Sequence, residues 1–186
     1  MEFNLDYLLN NLAFIIKDNP YKKPSIEELR HNLFSYLEDY QKMDFSFINL
    51  PNKLIDISDG QDTYSLFGEC FLGYFVIDKE GKVLLICNDE AYEVFQNRIV
   101  FVNSSLELFV SSYSLFLSKL FILKSKFYKI KAVEVEDISR EFMEDVLALE
   151  KDSSNQPTFW EHIAYLIEDD GIVLRNDVTD YINDGV

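Results

Sequence analysis

The chain has 186 residues, 48% of them hydrophobic and 15% aromatic, and carries a formal net charge of −16. That length and apolar content suit one domain with a core built on large rings. The charge argues against binding nucleic acid through its phosphates or an anionic membrane surface, both of which need a basic face, and favours a basic partner. The excess is uneven: residues 1–133 net −4 and residues 134–186 net −12. The plainer reading of the acidic third is a solvated helical surface that keeps the protein soluble. The functional reading is a docking face for a cationic protein.

Residues 1–60 read as a mainly helical part. Leu5, Leu8, Leu9, Leu12, Ile15 and Ile16 follow an amphipathic helical period, which Asn19-Pro20 should end. Ser25 and Glu28 form a capping box for a second helix, with Ile26, Leu29, Leu33, Phe34, Leu37 and Tyr40 as its buried stripe. Residues 43–61 read as irregular except for a short strand over 54–57. Asp56, Asp59 and Asp62 around Gly60 raise the idea of a calcium loop, but their spacing does not fit an EF-hand.

The next block predicts strands over residues 71–77, 83–87 and 99–102, rich in aromatic and β-branched residues. Asp78-Lys79-Glu80-Gly81 is a polar turn ending in glycine. Residues 83–87 lack clear alternation, which predicts a strand covered on both faces. Ser104 and Glu107 make a second capping box, for a helix starting near Ser105 with Leu106, Phe109, Val110, Tyr113, Phe116, Leu117 and Leu120 at helical spacing. Residues 109–123 are the longest apolar stretch. Serines and Lys119 interrupt it, so it reads as too short and too polar for a bilayer. Lys119, Lys124, Lys126, Lys129 and Lys131 are placed to close the helix end, where cations are favoured.

Residues 132–138 read as an acidic turn or strand with Val133 and Val135 on one side, and residues 140–150 as a helix. Thr158 and Glu161 form a third capping box, opening a last helix that Gly171 should end. Trp160, the sole tryptophan, reads as its core anchor. Residues 176–186 form an acidic tail. The fold class expected is α/β (α+β), a single domain with a mixed, mainly antiparallel sheet flanked by helices.

Reactive chemistry is sparse. The sequence shows no GxSxG, P-loop or GxGxxG pattern, so no enzymatic activity and no cofactor are expected. Two histidines do not make a His-rich metal site. Cys70 and Cys87 belong to no CxxC pair and read as buried free thiols in a reducing cytosol, with a strand-to-strand disulfide as the lesser reading. The acidic start of the chain predicts no secretory leader. Glu168-Asp169-Asp170 falls at a helix C-terminus, where the macrodipole disfavours anions. Together with Asp177 and Asp180, these residues are the candidate partner-binding acids.

The path from Gly73-Tyr74-Phe75-Val76-Ile77-Asp78 through Gly81-Lys82-Val83 to Phe101-Val102-Asn103-Ser104-Ser105-Leu106-Glu107-Leu108-Phe109 resembles the SUKH superfamily of bacterial immunity proteins, and within it the fourth subfamily. Asp145, Leu149 and Phe159-Trp160 are similar to its C-terminal part. The resemblance covers roughly residues 68–170 and rests on structural motifs. The tryptophan-glycine pattern of other branches is not visible near the start. The resemblance implies a cytoplasmic antidote that binds and blocks a cognate protein toxin, of a kind that often attacks nucleic acid. An acidic protein suits a nuclease's basic cleft. The alternatives are a small-ligand binder or general adaptor of the same fold, or an uncharacterised enzyme.

Overall fold

Aromatic and β-branched runs between residues 55 and 103 build an antiparallel meander. In this computed structural model, which describes residues 5–18, 20–21, 23–34, 47–126, 131–151 and 158–170, the strands are β1 (Ile15–Ile16), β2 (Ile55–Ser58), β3 (Thr63–Cys70), β4 (Gly73–Ile77), β5 (Val83–Cys87) and β6 (Ile99–Asn103). They lie side by side in sequence order, each antiparallel to the next. The helices are α1 (Ile26–Phe34), α2 (Asp89–Phe95), α3 (Leu106–Lys126), α4 (Ala132–Leu149) and α5 (Thr158–Asp170). The fold is thus the expected α+β class, with strand pairing wholly antiparallel among the described residues. Two compact units divide the chain: Met1–Asn32 with Ser46–Leu106, and Leu33–Phe45 with Glu107–Val186.

In the first unit the register sets one apolar face. Ile57 lies opposite Tyr64, Leu66 opposite Val76, and Tyr74 opposite Ile86. Leu8 and Phe14 complete this cluster. The other face is buried as well, through Phe67, Phe75, Leu85, Cys87 and Val102, each at 0% exposure. Burial on both faces is what the unalternating run of β5 predicted.

Leu8 and Phe14 reach the cluster by a route the helical period did not predict. Instead of one amphipathic helix there is a single π-helical turn, Tyr7–Asn11. Ala13 then takes φ +57°, a left-handed conformation that stops helix propagation. Phe14 turns inward, edge-on to Tyr64 with centroids 6.3 Å apart. Ile15 and Ile16 join the sheet edge as β1, 50% and 60% exposed.

A second difference concerns the expected strand over 71–77. Phe71 and Leu72 are a two-residue turn between β3 and β4, closed by the pair Cys70 and Gly73. Its carbonyls are met by one residue: Asn88 Nδ2 donates to Phe71 O at 2.7 Å, and Asn88 N donates to Leu72 O at 3.0 Å. Asn88 Oδ1 also accepts from Ala91 N at 2.9 Å, capping α2. Asn88→Ala removes the cap and one carbonyl partner together. It should lower unfolding free energy by about 2 kcal/mol in urea melts. A loss no larger than that of an exposed Asn→Ala control would rule out this keystone role.

Other turns follow the sequence closely. Asp78 Oδ1 accepts from Glu80 N at 2.8 Å and Lys82 N at 2.9 Å, and Gly81 sits at φ +86°. Ser25 Oγ accepts from Glu28 N at 3.0 Å, so the predicted cap of α1 is formed. Leu37 and Tyr40, assigned to the same helix by the sequence, lie outside the described residues.

The two cysteines flank β4 rather than occupying neighbouring strands. Cys70 and Cys87 both lie opposite Gly73, from β3 and β5. Two strand spacings, roughly 10 Å, exceed the reach of a disulfide, and both thiols are free and buried. Burial pushes each thiol up to about 12. Native protein at pH 8 should therefore resist a thiol-reactive dye that labels both cysteines once denaturant is added. Rapid labelling without denaturant would contradict this burial.

The second unit is organised by Trp160, which is fully buried. Its ring meets Phe109 and Phe116 of α3, Phe142 of α4, and Phe159 beside it, with centroids 4.8 to 6.2 Å apart. Residues 132–138, read as a turn or strand, are the first turns of α4. Val135, Ile138, Phe142 and Val146 there keep helical spacing and are buried. By length and composition Leu106–Leu123 of α3 is apolar enough to cross a membrane, contrary to the sequence reading. Those same residues supply Phe109, Tyr113 and Phe116 to the ring cluster, which accounts for their apolarity.

Candidate functional site

Asp56 of β2 and the aspartates of the β2–β3 loop have separate structural partners. Asp59 Oδ1 accepts from Gln61 N and Asp62 N, both at 2.9 Å. Asp62 meets Lys79 at 3.2 Å, and Asp56 meets Lys23 and accepts from Ser65 Oγ at 2.8 Å. Among the described residues no group of three or more potential ligands is placed to hold a metal ion. A second polar cluster joins Tyr7, Asp89 and Arg98. Tyr7 Oη donates to Asp89 Oδ1 at 2.6 Å, and Arg98 Nη1 donates to the same oxygen at 3.1 Å and to Cys87 O at 3.2 Å. These bonds hold the Asp89 carboxyl below its ordinary range. They pin the N-terminal turn to α2 and β6, with donors and acceptors matched inside the cluster.

The groove between α4 and α5 is different. Its walls are Glu136, Arg140 and Met143 from α4, and Glu161, Tyr165 and Glu168 from α5. Its floor is Ser139 and Ala164, and the space encloses about 450 Å³. The serine's one donor is used in the floor, where Ser139 Oγ donates to Ala164 O at 2.8 Å across the two helices. The small floor residues let the backbones approach, and the larger wall residues stand outside. Tyr165 is 56% exposed, its ring stacked on His162 at 6.2 Å with planes 21° apart. Partial burial lowers the His162 pKa below its ordinary value.

Both walls of the groove carry charge. Lys119 pairs with Glu141 at 3.1 Å and Asp145 at 3.6 Å, and Lys126 with Glu134 at 3.8 Å. Arg140 pairs with Asp137 on its own helix. Glu136, Glu161 and Glu168 take part in none of the ion pairs among the described residues. Of the lysines expected to close the end of α3, Lys119 and Lys126 tie α3 to α4; Lys129 and the Lys124 side chain lie outside the described residues. Lys119, Lys126 and Arg140 are thus engaged, and the three carboxylates facing the groove are in none of these pairs.

Of the candidate acids named from the sequence, Glu168 lies on the groove wall and Asp169 is exposed beside it. Asp170 ends α5, and its side chain is not described. Asp177, Asp180 and the helix-ending Gly171 lie outside the described residues. Sequence reasoning missed Glu136, Met143 and Tyr165. A helical reading of residues 132–149 would have put Glu136, Arg140 and Met143 on one stripe. No family model matches the chain, and comparison with curated proteins and with solved structures finds no match either.

Proposed function

We propose that this protein is an antidote: it binds a basic protein toxin and blocks it in the cytoplasm, using the α4–α5 groove as its docking surface. The observation that carries this reading is the set Glu136, Glu161 and Glu168, in no ion pair among the described residues, around a groove whose one lining cation, Arg140, already pairs with Asp137. The net charge of −16 steers a cationic partner toward the protein. The three carboxylates, desolvated on contact, then hold it. The SUKH resemblance supports the same class, and toxins that act on nucleic acid carry the basic clefts this surface would complement.

The test is co-production with the product of each gene that neighbours its own, scored by growth and by complex formation. Glu136→Gln, Glu161→Gln and Glu168→Gln together should weaken the complex at least about tenfold at low salt, through slower association and faster dissociation. They should also flatten the salt dependence of affinity, since exposed charges act over a Debye length of ~8 Å at physiological salt. An unchanged affinity and salt slope in the triple variant would remove the groove from the interface.

A further inference from the structure

Resting on the docking reading above, we propose that the element entering the α4–α5 groove is an arginine-bearing α-helix of the partner, its guanidinium laid on the Tyr165 ring between Glu161 and Glu168. The wall residues recur at helical spacing, Glu136, Arg140 and Met143 on one side and Glu161, Tyr165 and Glu168 on the other. The groove therefore runs along the helix pair for about two turns, roughly 10 Å. A helix fits such a furrow because its own side-chain ridges share that spacing.

An extended segment fits poorly. The walls are side chains of two helices whose backbone groups are already hydrogen-bonded within the helices, so no row of main-chain donors and acceptors faces the groove. A strand laid there would leave its own amides unpaired, whereas a helix arrives with its backbone satisfied.

Arginine fits the Tyr165 wall better than lysine. The ring is half-exposed and backed by His162. Glu161 lies one turn before it and Glu168 one turn after. A planar guanidinium can stack on the ring and meet a carboxylate in bidentate fashion, and an ammonium cannot. The Arg140 guanidinium on the opposite wall repels a second cation there. This fixes the incoming arginine to the α5 side.

The probes are three synthetic peptides on an alanine-glutamine background, titrated calorimetrically into the full chain at low salt. One carries two arginines seven residues apart with a leucine between them. The second replaces both arginines by lysine, and the third keeps the arginines but has a central proline. The arginine peptide should bind, the lysine peptide about threefold or more weaker, and the proline peptide more weakly still. Tyr165→Leu should abolish the preference for arginine, and Glu161→Gln with Glu168→Gln should weaken both helical peptides. Equal binding of the helical and proline peptides, or an arginine preference that survives Tyr165→Leu, would overturn the inference. Intact toxin separates the two readings. If its binding needs the three carboxylates while the peptides are not discriminated, the arginine-helix inference falls and the docking reading stands. If intact toxin binds the triple glutamine variant like the native protein, both fall.

Discussion

Trp160→Ala should remove about 3–5 kcal/mol of stability, as expected for truncating a large aromatic in a packed core. The side chain is fully buried and touches four other rings from three helices. Its loss leaves a cavity that Phe109, Phe116 and Phe142 cannot fill without leaving their own contacts. Because native domains are stable by only about 5–15 kcal/mol, the variant should melt at much lower urea concentration. Trp160→Phe keeps one ring and should lose markedly less. Far-UV circular dichroism is the suitable probe, since the substitution removes the only indole. A loss under about 1 kcal/mol would mean that the second unit is not organised around this residue.

Gly73→Ala should be comparably damaging for a different reason. The residue sits at φ +142°, a region where a side chain is strained by about 1–3 kcal/mol. A Cβ there would also lie 2.1 Å from the carbonyl oxygen of Ile86. That oxygen belongs to the backbone of β5 and cannot swing aside, so β4 and β5 must part or the β3–β4 hairpin must re-form. A total loss of about 3 kcal/mol or more is expected, against about 1–2 kcal/mol for Gly81→Ala. Gly81 also has positive φ, but open space surrounds its missing Cβ. Chemical denaturation of the two variants side by side separates close approach from turn strain. Equal losses would show that the contact with Ile86 is relieved at negligible cost.

How much of this was legible in the sequence depended on whether polarity marked the boundaries. Asp78 to Gly81 announced its turn, and β5 was found at the bounds the structure shows, Val83–Cys87. The turn at Phe71-Leu72 is apolar and is satisfied by Asn88 from further along the chain, so nothing local distinguishes it from strand. The longest strand, β3, was missed for the same reason. At the N-terminus Leu5, Leu8 and Leu12 do face a core, but Ala13 adopts a conformation that alanine's helix propensity speaks against. Tertiary packing of Phe14 overrode the local preference. In the candidate site, Glu168 was legible as an acid at an unfavourable helix end. Glu136 and Tyr165 were not, because their significance arises only when two helices pair and because the first turns of α4 alternate like a strand.

The order of the sheet bears on how the protein is made. Each described strand pairs with its neighbours in the chain, so from β2 to β6 every pairing is with the strand just made. Hairpin closures of this kind carry little loop entropy and favour rapid folding. During synthesis β2 to β6 can zip together one ribbon at a time as each emerges. Only β1 stands apart, separated from β2 by α1 and the segment that follows it. The pairing of Ile15 and Ile16 with β2 therefore closes the longest loop among the described strands, and until it forms β2 presents an open ladder to its neighbours.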